Sequence, residues 1–375
     1  MSFCLHVVSL TIPYPPNYGG AIDIYYKLKA LAENNIEIIL HCYQYDRGQE
    51  SQLEKICKQV FYYKRSTGIF KHFSSKPYIV VSRSNRQLFK ILNKDNYPIL
   101  AEGLHCSDVL NYVNPKRVFV RTHNIEHSYY NELSNSTQNL IKKIFFKTES
   151  IKLKKYESIL QKAAGIFCIS DFELPHFKKT NSNSFLLPPF HQYSACLSKE
   201  GTGNYILIHG NLSVEENIKS VLLLMNEVIP NIDFRIVIAG MNPDPILKKK
   251  ISQLSNTELI PNPSHEKMKE LISQAQIILL HTHQATGVKL KLVNSLFDGR
   301  HCICNDKMIE GTNLKNICHQ ANNTKEWIDK INELKTKPFT MEEKYNREKQ
   351  LDALFNNNRN IQTLINQIYK NVNMM

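Results

Sequence analysis

Two lysines two positions apart, Lys289 and Lys291, follow Thr286-Gly287-Val288 shortly after the apolar run Ile277–Leu280. A helix opening at Gly287 or Val288, with Thr286 as its N-cap, is predicted here. Both lysines would then stand in a first turn, where the positive end of the macrodipole makes each unfavourable by a few tenths to about 1 kcal/mol. A phosphate group on the free backbone N–H groups of Thr286 to Lys289, with the Lys289 ammonium beside it, would offset this cost. The plainer alternative is that Lys289 extends to solvent along its aliphatic stem. A second candidate for chemistry is His123, in the polar cluster RTHNIEHSYY just past a strand end, with a structural histidine as the competing reading. His281 and His283 alternate at one strand end, and Cys302 and Cys304 alternate in the next strand. Zinc ligation by these four is weighed against ordinary packing of alternating strand residues, and packing is preferred.

The elements that must hold these residues read as repeated βα units. Stepping 100° per residue from Val288 places Leu290, Leu292, Val293, Leu296 and Phe297 on one arc with Lys289 inside it, and Lys291, Asn294, Ser295 and Asp298 opposite. At the start of the chain, an apolar strand from Phe3 precedes TIPYPPNYGG and a helix over AIDIYYKLKALAENN. Gly19-Gly20 therefore sits where a strand-to-helix loop opens a helix, and a backbone without Cβ atoms can approach a bulky or anionic ligand there. Further strands end at Glu102-Gly103 and His123-Asn124, so Glu102 and His123 are expected at the carboxyl ends of parallel strands, on the ligand side. A long basic helix is predicted over 140–164. The Pro-, Ser- and Gly-containing stretch 188–204 is the expected domain boundary. Beyond it, strand 205–208, a His209-Gly210-Asn211 loop, helix 214–228 and further alternating strands and helices predict a second doubly wound domain. An apolar-striped helix from about residue 351 to the C-terminus belongs to no βα unit.

With 375 residues, the chain exceeds one typical core, and two domains of somewhat under 200 residues are expected. The net charge of +13 is uneven: residues 1–190 hold 25 Lys and Arg against 15 Asp and Glu. An acidic partner for the N-terminal half follows, either an anionic membrane surface or a phosphate-bearing substrate. The stretch 58–76, which mixes aromatics with Lys64, Arg65, Lys71, His72 and Lys76, fits a lipid-headgroup surface as well as a solvated loop. No nucleic-acid motif supports an RNA or DNA partner. Nine cysteines without CxxC pairing fit a reducing cytoplasm, and neither a signal peptide nor a membrane-spanning run is expected. The chain lacks a P-loop, a GxGxxG fingerprint and an Asp-x-Asp pair for a nucleotide-bridging metal, which argues against P-loop and nicotinamide chemistry.

Five segments together, PYPPNYGG, RTHNIEHSYY, GIFCISDFE, YILIHGNLSVEEN and TGVKLKLVNSLFDGR, resemble GT-B retaining glycosyltransferases of the family 4 (glycosyl transferases group 1) type. The resemblance implies an α/β fold with two Rossmann-like domains facing a central cleft: an acceptor domain over 1–190, a nucleotide-sugar domain over 191–350, and a C-terminal helix over 351–375 crossing back. It implies that Gly19 and Gly20 approach the donor, that His123 contacts the transferred sugar, and that Gly210, Asn211, Thr286, Gly287, Val288 and Lys289 hold the diphosphate. Glu102 would face the acceptor. Two glutamates usual in such proteins are replaced by Thr286 and Asn294, the latter still able to bond a ribose. The usual Arg and Lys after the Gly210 loop are replaced by Asn211 or Leu212 and by Glu216. The implied activity is metal-independent hexosyl transfer with retention, with mannose as one candidate sugar, from a UDP- or GDP-linked donor without a further cofactor. The acceptor would be a glycan or lipid-linked glycan of bacterial surface polysaccharide assembly, at the inner face of the cytoplasmic membrane. A catalytically weak GT-B-like partner protein is the alternative; an epimerase or phosphorylase on the same architecture fits less well.

Overall fold

The computed structural model describes residues 3–45, 47–137, 139–284 and 287–372, the last two without their side chains. The chain forms two compact units: residues 1–192 together with 357–375, and residues 193–356. Each is a parallel sheet with helices on both faces.

In the first unit, seven strands are β1 (Phe3–Ser9), β2 (Ile36–Gln44), β3 (Gln59–Lys64), β4 (Ile99–Glu102), β5 (Val118–Arg121), β6 (Gly165–Cys168) and β7 (Ser184–Leu186). Their order is β3-β2-β1-β4-β5-β6-β7, all parallel. Strand order reverses between β1 and β4, which pair with His6 opposite Ile99. Alternation along each strand splits the apolar side chains into two cores. Val8, Ile99, Ala101, Val118, Val120 and Ile166 lie on one face. Leu5, Val7, Leu40, Leu100, Phe119 and Phe167 lie on the other. That second face is covered by helix Gly19–Glu33 and by the C-terminal helix Asn357–Val372, which contributes Ile361, Leu364 and Ile368. The basic helix runs only over Leu140–Tyr156 and tightens into a 3₁₀ turn over Glu157–Lys162, short of the predicted end.

The second unit has β8 (Ile206–Asn211), β9 (Ile236–Met241), β10 (Thr257–Pro261), β11 (Ile277–Leu280), β12 (His301–Cys304) and β13 (His319–Gln320), in the order β10-β9-β8-β11-β12-β13. This is the doubly wound order with its reversal between β8 and β11. Ile206, Ile208, Ile236, Ile238, Ile277, Leu279 and Ile303 share one core face with Trp327, Ile331 and Leu334. Two boundaries differ from expectation. His209-Gly210-Asn211 continues β8, paired with Ala239-Gly240-Met241, rather than forming a loop. The predicted 214–228 helix is α-helical over Glu215–Leu223 and ends in a single π turn, Leu224–Val228. All nine cysteines are free, eight of them buried. No helix among the described residues is long and apolar enough to cross a membrane.

Candidate active site

Ligands of doubly wound sheets bind beyond the carboxyl ends of the strands flanking the reversal of strand order. In the second unit these ends are those of β8 and β11, and most of the residues singled out for a diphosphate lie there. Gly210 and Asn211 close β8, while Gly287, Val288, Lys289 and Asn294 follow β11. Thr286 lies outside the described residues. The helix after β11 begins at Leu290 and ends at Asp298, later than predicted. Gly287 has φ +69, a left-handed conformation that interrupts helical geometry, so Lys289 occupies the N-cap position with extended backbone. Its ammonium lies 3.0 Å from the Gly287 carbonyl oxygen.

The first-turn cation is therefore Lys291, which sequence reasoning had placed on the face opposite the apolar arc. The helix is short and buried on several sides: Tyr193 stacks on Phe297 with centroids 4.8 Å apart, and Ser295 and Asp298 are buried as well. Lys291 thus lies in a small cavity that also touches His209, Asn217, Ser220 and His281. Its Nζ donates to Asn217 Oδ1 at 3.1 Å, and Asn217 Nδ2 donates to the Asn211 carbonyl at 2.9 Å. Burial lowers the Lys291 pKa, opposed by the charge of Glu216. Ser295 Oγ donates to the Lys291 carbonyl at 2.7 Å, so at the 2.9 Å contact with His209 Nε2 the imidazole is the donor. Burial and Lys291 push His209 down to about 3, and burial with His283 pushes His281 to about 4, so both rings are neutral at neutral pH. Asn294 Oδ1 is buried with no hydrogen-bond partner among the described residues.

Glu216 is held elsewhere: its Oε1 accepts from Thr282 Oγ1 at 2.5 Å and from the His283 N–H at 3.0 Å, pinning the loop after β11. Lys291, reaching Asn217 from the facing helix, supplies a cation beside the end of β8. Asn217 and Ser220 left no signal in the sequence, while His209 and Lys291 were visible there, as a neighbour of Gly210 and as a first-turn lysine, without a role at this site. His281, His283, Cys302 and Cys304 do not converge into one ligand set among the described residues.

In the first unit the reversal lies between β1 and β4. Gly19 and Gly20, after β1, are the first two residues of helix Gly19–Glu33. One turn further along, that helix presents Asp23 and Lys27 to a buried ion cluster. Lys27 Nζ lies 2.9 Å from Glu102 Oε1 and 3.2 Å from Asp23 Oδ2. Arg121 Nε lies 3.3 Å from Asp23 Oδ2, and the Phe190 N–H donates to Asp23 Oδ1 at 2.8 Å. His123 Nε2 is 3.0 Å from Glu102 Oε2, with Nδ1 4.0 Å from Asp23. Burial alone would raise both carboxyl groups; the adjacent Arg121, Lys27 and His123 hold Asp23 well below the usual range, and Lys27 and His123 lower Glu102. Glu102, expected to face an acceptor, is 0% exposed. The reason is electrostatic: Lys27, on a helix that packs on one face of the sheet, draws the carboxylate inward. His123 keeps a small exposed edge and is oriented by Glu102. Asp23, Glu102 and His123 come close enough together to hold a metal ion, but Lys27 and Arg121 already supply the positive charge that the carboxylates need.

No protein-family model matches the chain. It is similar to a Klebsiella pneumoniae protein described as an uncharacterized 44.6 kDa protein in the cps region, with 27% identity over 326 residues, 82% of this chain and 84% of that one. Among solved structures, TarM matches with a TM-score of 0.69 at 10% identity over 98% of this chain and 99% of its own. Anabaena Alr3699/HepE, in complex with UDP and glucose, matches with 0.65 at 8% identity over 98% and 100%. WaaG, a glycosyltransferase involved in lipopolysaccharide biosynthesis, matches with 0.64 at 9% identity over 97% and 99%. At such identities what is shared is the fold, and this chain has the GT-B fold of these glycosyltransferases.

Proposed function

We propose that this protein is a glycosyltransferase that moves a hexosyl group, with retention, from a nucleoside-diphosphate sugar to a glycan or lipid-linked acceptor in surface polysaccharide assembly. The observation that carries this reading is the position of Gly210, Asn294 and a half-buried Lys291 at the reversal of strand order in the second unit, where doubly wound folds bind nucleotides. The TarM structure with UDP and an α-GlcNAc-glycerol, the HepE structure with UDP and glucose, and the cps-region relative support the same class.

In this reading the leaving diphosphate lies on the N–H groups of residues 287–289, and its growing charge is offset by Lys289 and Lys291 rather than by a metal. Lys291 replaces the cations missing after β8. Asn294, with an unfilled acceptor, takes a ribose hydroxyl. His123, oriented by Glu102, meets the transferred sugar. The acceptor hydroxyl approaches from the leaving-group side and passes its proton to the departing phosphate.

The first unit would sit on an anionic bilayer at the cytoplasmic face. The 3₁₀ turn Ile69–Phe73 lies against the basic helix, with His72 and Phe145 rings 5.4 Å apart. Together they expose Ile69, Phe70, Phe73, Leu140, Ile141 and Ile144 among Lys71, Lys142, Lys143 and Lys147, a combination suited to a lipid interface.

A thermal-shift panel of UDP, GDP and their sugar conjugates, with and without Mg²⁺, tests the donor site. A ligand at about 100 times its Kd adds about 2.7 kcal/mol, or roughly 5 to 10 °C for a unit of this size. A metal-independent shift for one nucleotide, weakened in Lys289→Ala and Lys291→Met, is expected. No shift with any nucleotide would favour the second reading, a GT-B-like partner protein, to which the replacement of two glutamates by Thr286 and Asn294 points.

A further inference from the structure

We propose that His127, Glu157 and His176 form a zinc-type metal site in the first unit, separate from the sugar chemistry. One ligating atom from each of the three lies within 4.8 Å of the others. They come from three elements: helix Glu126–Ser136, the turn following the basic helix, and helix Leu174–Thr180. His176 Nε2 and Glu157 Oε1 are 2.6 Å apart, and the two imidazole rings meet edge to face at 5.6 Å. Two imidazoles and a carboxylate are a ligand set that zinc accepts with a fourth position left to water. A tetrahedral ion with bonds of about 2.0–2.1 Å holds its ligand atoms roughly 3.3 Å apart, so small rotations of the half-buried His127 and His176 rings toward the buried Glu157 close the site. The proton now shared between His176 and Glu157 leaves as the ion enters.

Two further features favour a cation there. Glu157 caps the carboxyl end of helix Leu140–Tyr156, where a negative side chain opposes the macrodipole and a bound cation relieves the conflict. The backbone of His127 is also anchored before any ion arrives, since Ser150 Oγ donates to its carbonyl at 2.7 Å, and its ring Nδ1 lies 3.2 Å from Ser128 Oγ. The surrounding charges are mixed, with Lys154 and Lys179 on one side and Glu173 on the other. His127 is four residues beyond His123, so an ion here ties the segment carrying His123 to the helix between β6 and β7.

The test is Co²⁺ titration of the chelator-stripped full chain, read by visible absorption, followed by Zn²⁺ competition. One equivalent should bind, with tetrahedral-type bands, and Zn²⁺ should displace it and raise the melting temperature. His127→Ala and His176→Ala should weaken binding by more than about 100-fold, and Glu157→Gln by at least about 10-fold. His123→Ala and His281→Ala should bind as wild type does. Circular dichroism checks the fold of each variant, and Glu157→Gln, which preserves shape and hydrogen bonding, serves if the alanine variants unfold. Absence of binding by wild type, or equal affinity in His176→Ala and Glu157→Gln, overturns the proposal.

Discussion

Lys27→Met is the most informative perturbation of the first unit. Lys27, Glu102 and Asp23 are 0%, 0% and 1% exposed, and the lysine makes ion pairs of 2.9 and 3.2 Å to the two carboxylates. Methionine fills a similar volume, so the change removes charge with little change in packing. Asp23 keeps Arg121 and the Phe190 N–H, but Glu102 is left with His123 alone. Removing one partner from a buried pair costs about 3 to 5 kcal/mol, because the remaining charge stays desolvated. At roughly 2 to 4 °C per kcal/mol for a domain of this size, the first unit should melt about 6 to 20 °C lower. Glu102 would then hold a proton in the folded state, so folding takes up a proton and the deficit shrinks as pH falls from 7 toward 5. Urea unfolding of the single variants and of Lys27→Met/Glu102→Gln measures the coupling, and the double variant should recover much of the loss. A single-variant cost below about 1 kcal/mol, or no recovery in the double variant, would refute this account of the cluster.

Acid should destabilise the first unit above the pH at which an ordinary carboxylate titrates. Burial and His6 push His41 down to about 3 from an ordinary 6.5, so this group contributes stability that is complete above pH 6.5 and is lost as pH falls toward 3. At pH 4.5 the loss should be about 2 to 3 kcal/mol by urea unfolding, and His41→Gln should flatten the profile. In the second unit, Gly240→Ala would place a Cβ 1.9 Å from the Gly210 carbonyl oxygen, forcing β8 and β9 apart; a cost above about 2 kcal/mol and weakened nucleotide binding are expected from melting and titration. Phe70→Ser and Phe73→Ser should lower partitioning onto anionic vesicles in flotation assays, and neutralising Lys142 or Lys143 should lower it by about 1 kcal/mol each while leaving nucleotide shifts unchanged.

Strands were legible because a parallel strand buried on both faces is a short apolar run, and Ile277–Leu280 is an instance. The start of the next helix was not, because a left-handed Gly287 cannot be told from a helical glycine by its letter. That error displaced Lys291: an angular map assigns faces but does not reveal that a nine-residue helix is enclosed on nearly all of them. His123 and Glu102 were visible as polar residues at strand ends, whereas their linkage through Lys27 joins residues 75 positions apart and leaves no local trace. Arg121, fully buried at the end of an apolar strand, was the one letter that could have announced an internal counter-ion.

The helix Asn357–Val372 belongs to the first unit although the whole second unit precedes it in the chain. Tyr369 donates to the Cys4 carbonyl at 3.0 Å, and Ile361, Leu364 and Ile368 complete the core built on Leu5 and Val7. During synthesis, therefore, Cys4 and its strand wait for a partner made 365 positions later. Between those events the second unit is fully made while the part of the first sheet beside helix Gly19–Glu33 lacks its second cover, a window in which a nascent chain needs protection from its neighbours. Stopping translation after residue 356 would yield a protein with its second sheet entire and its first core open.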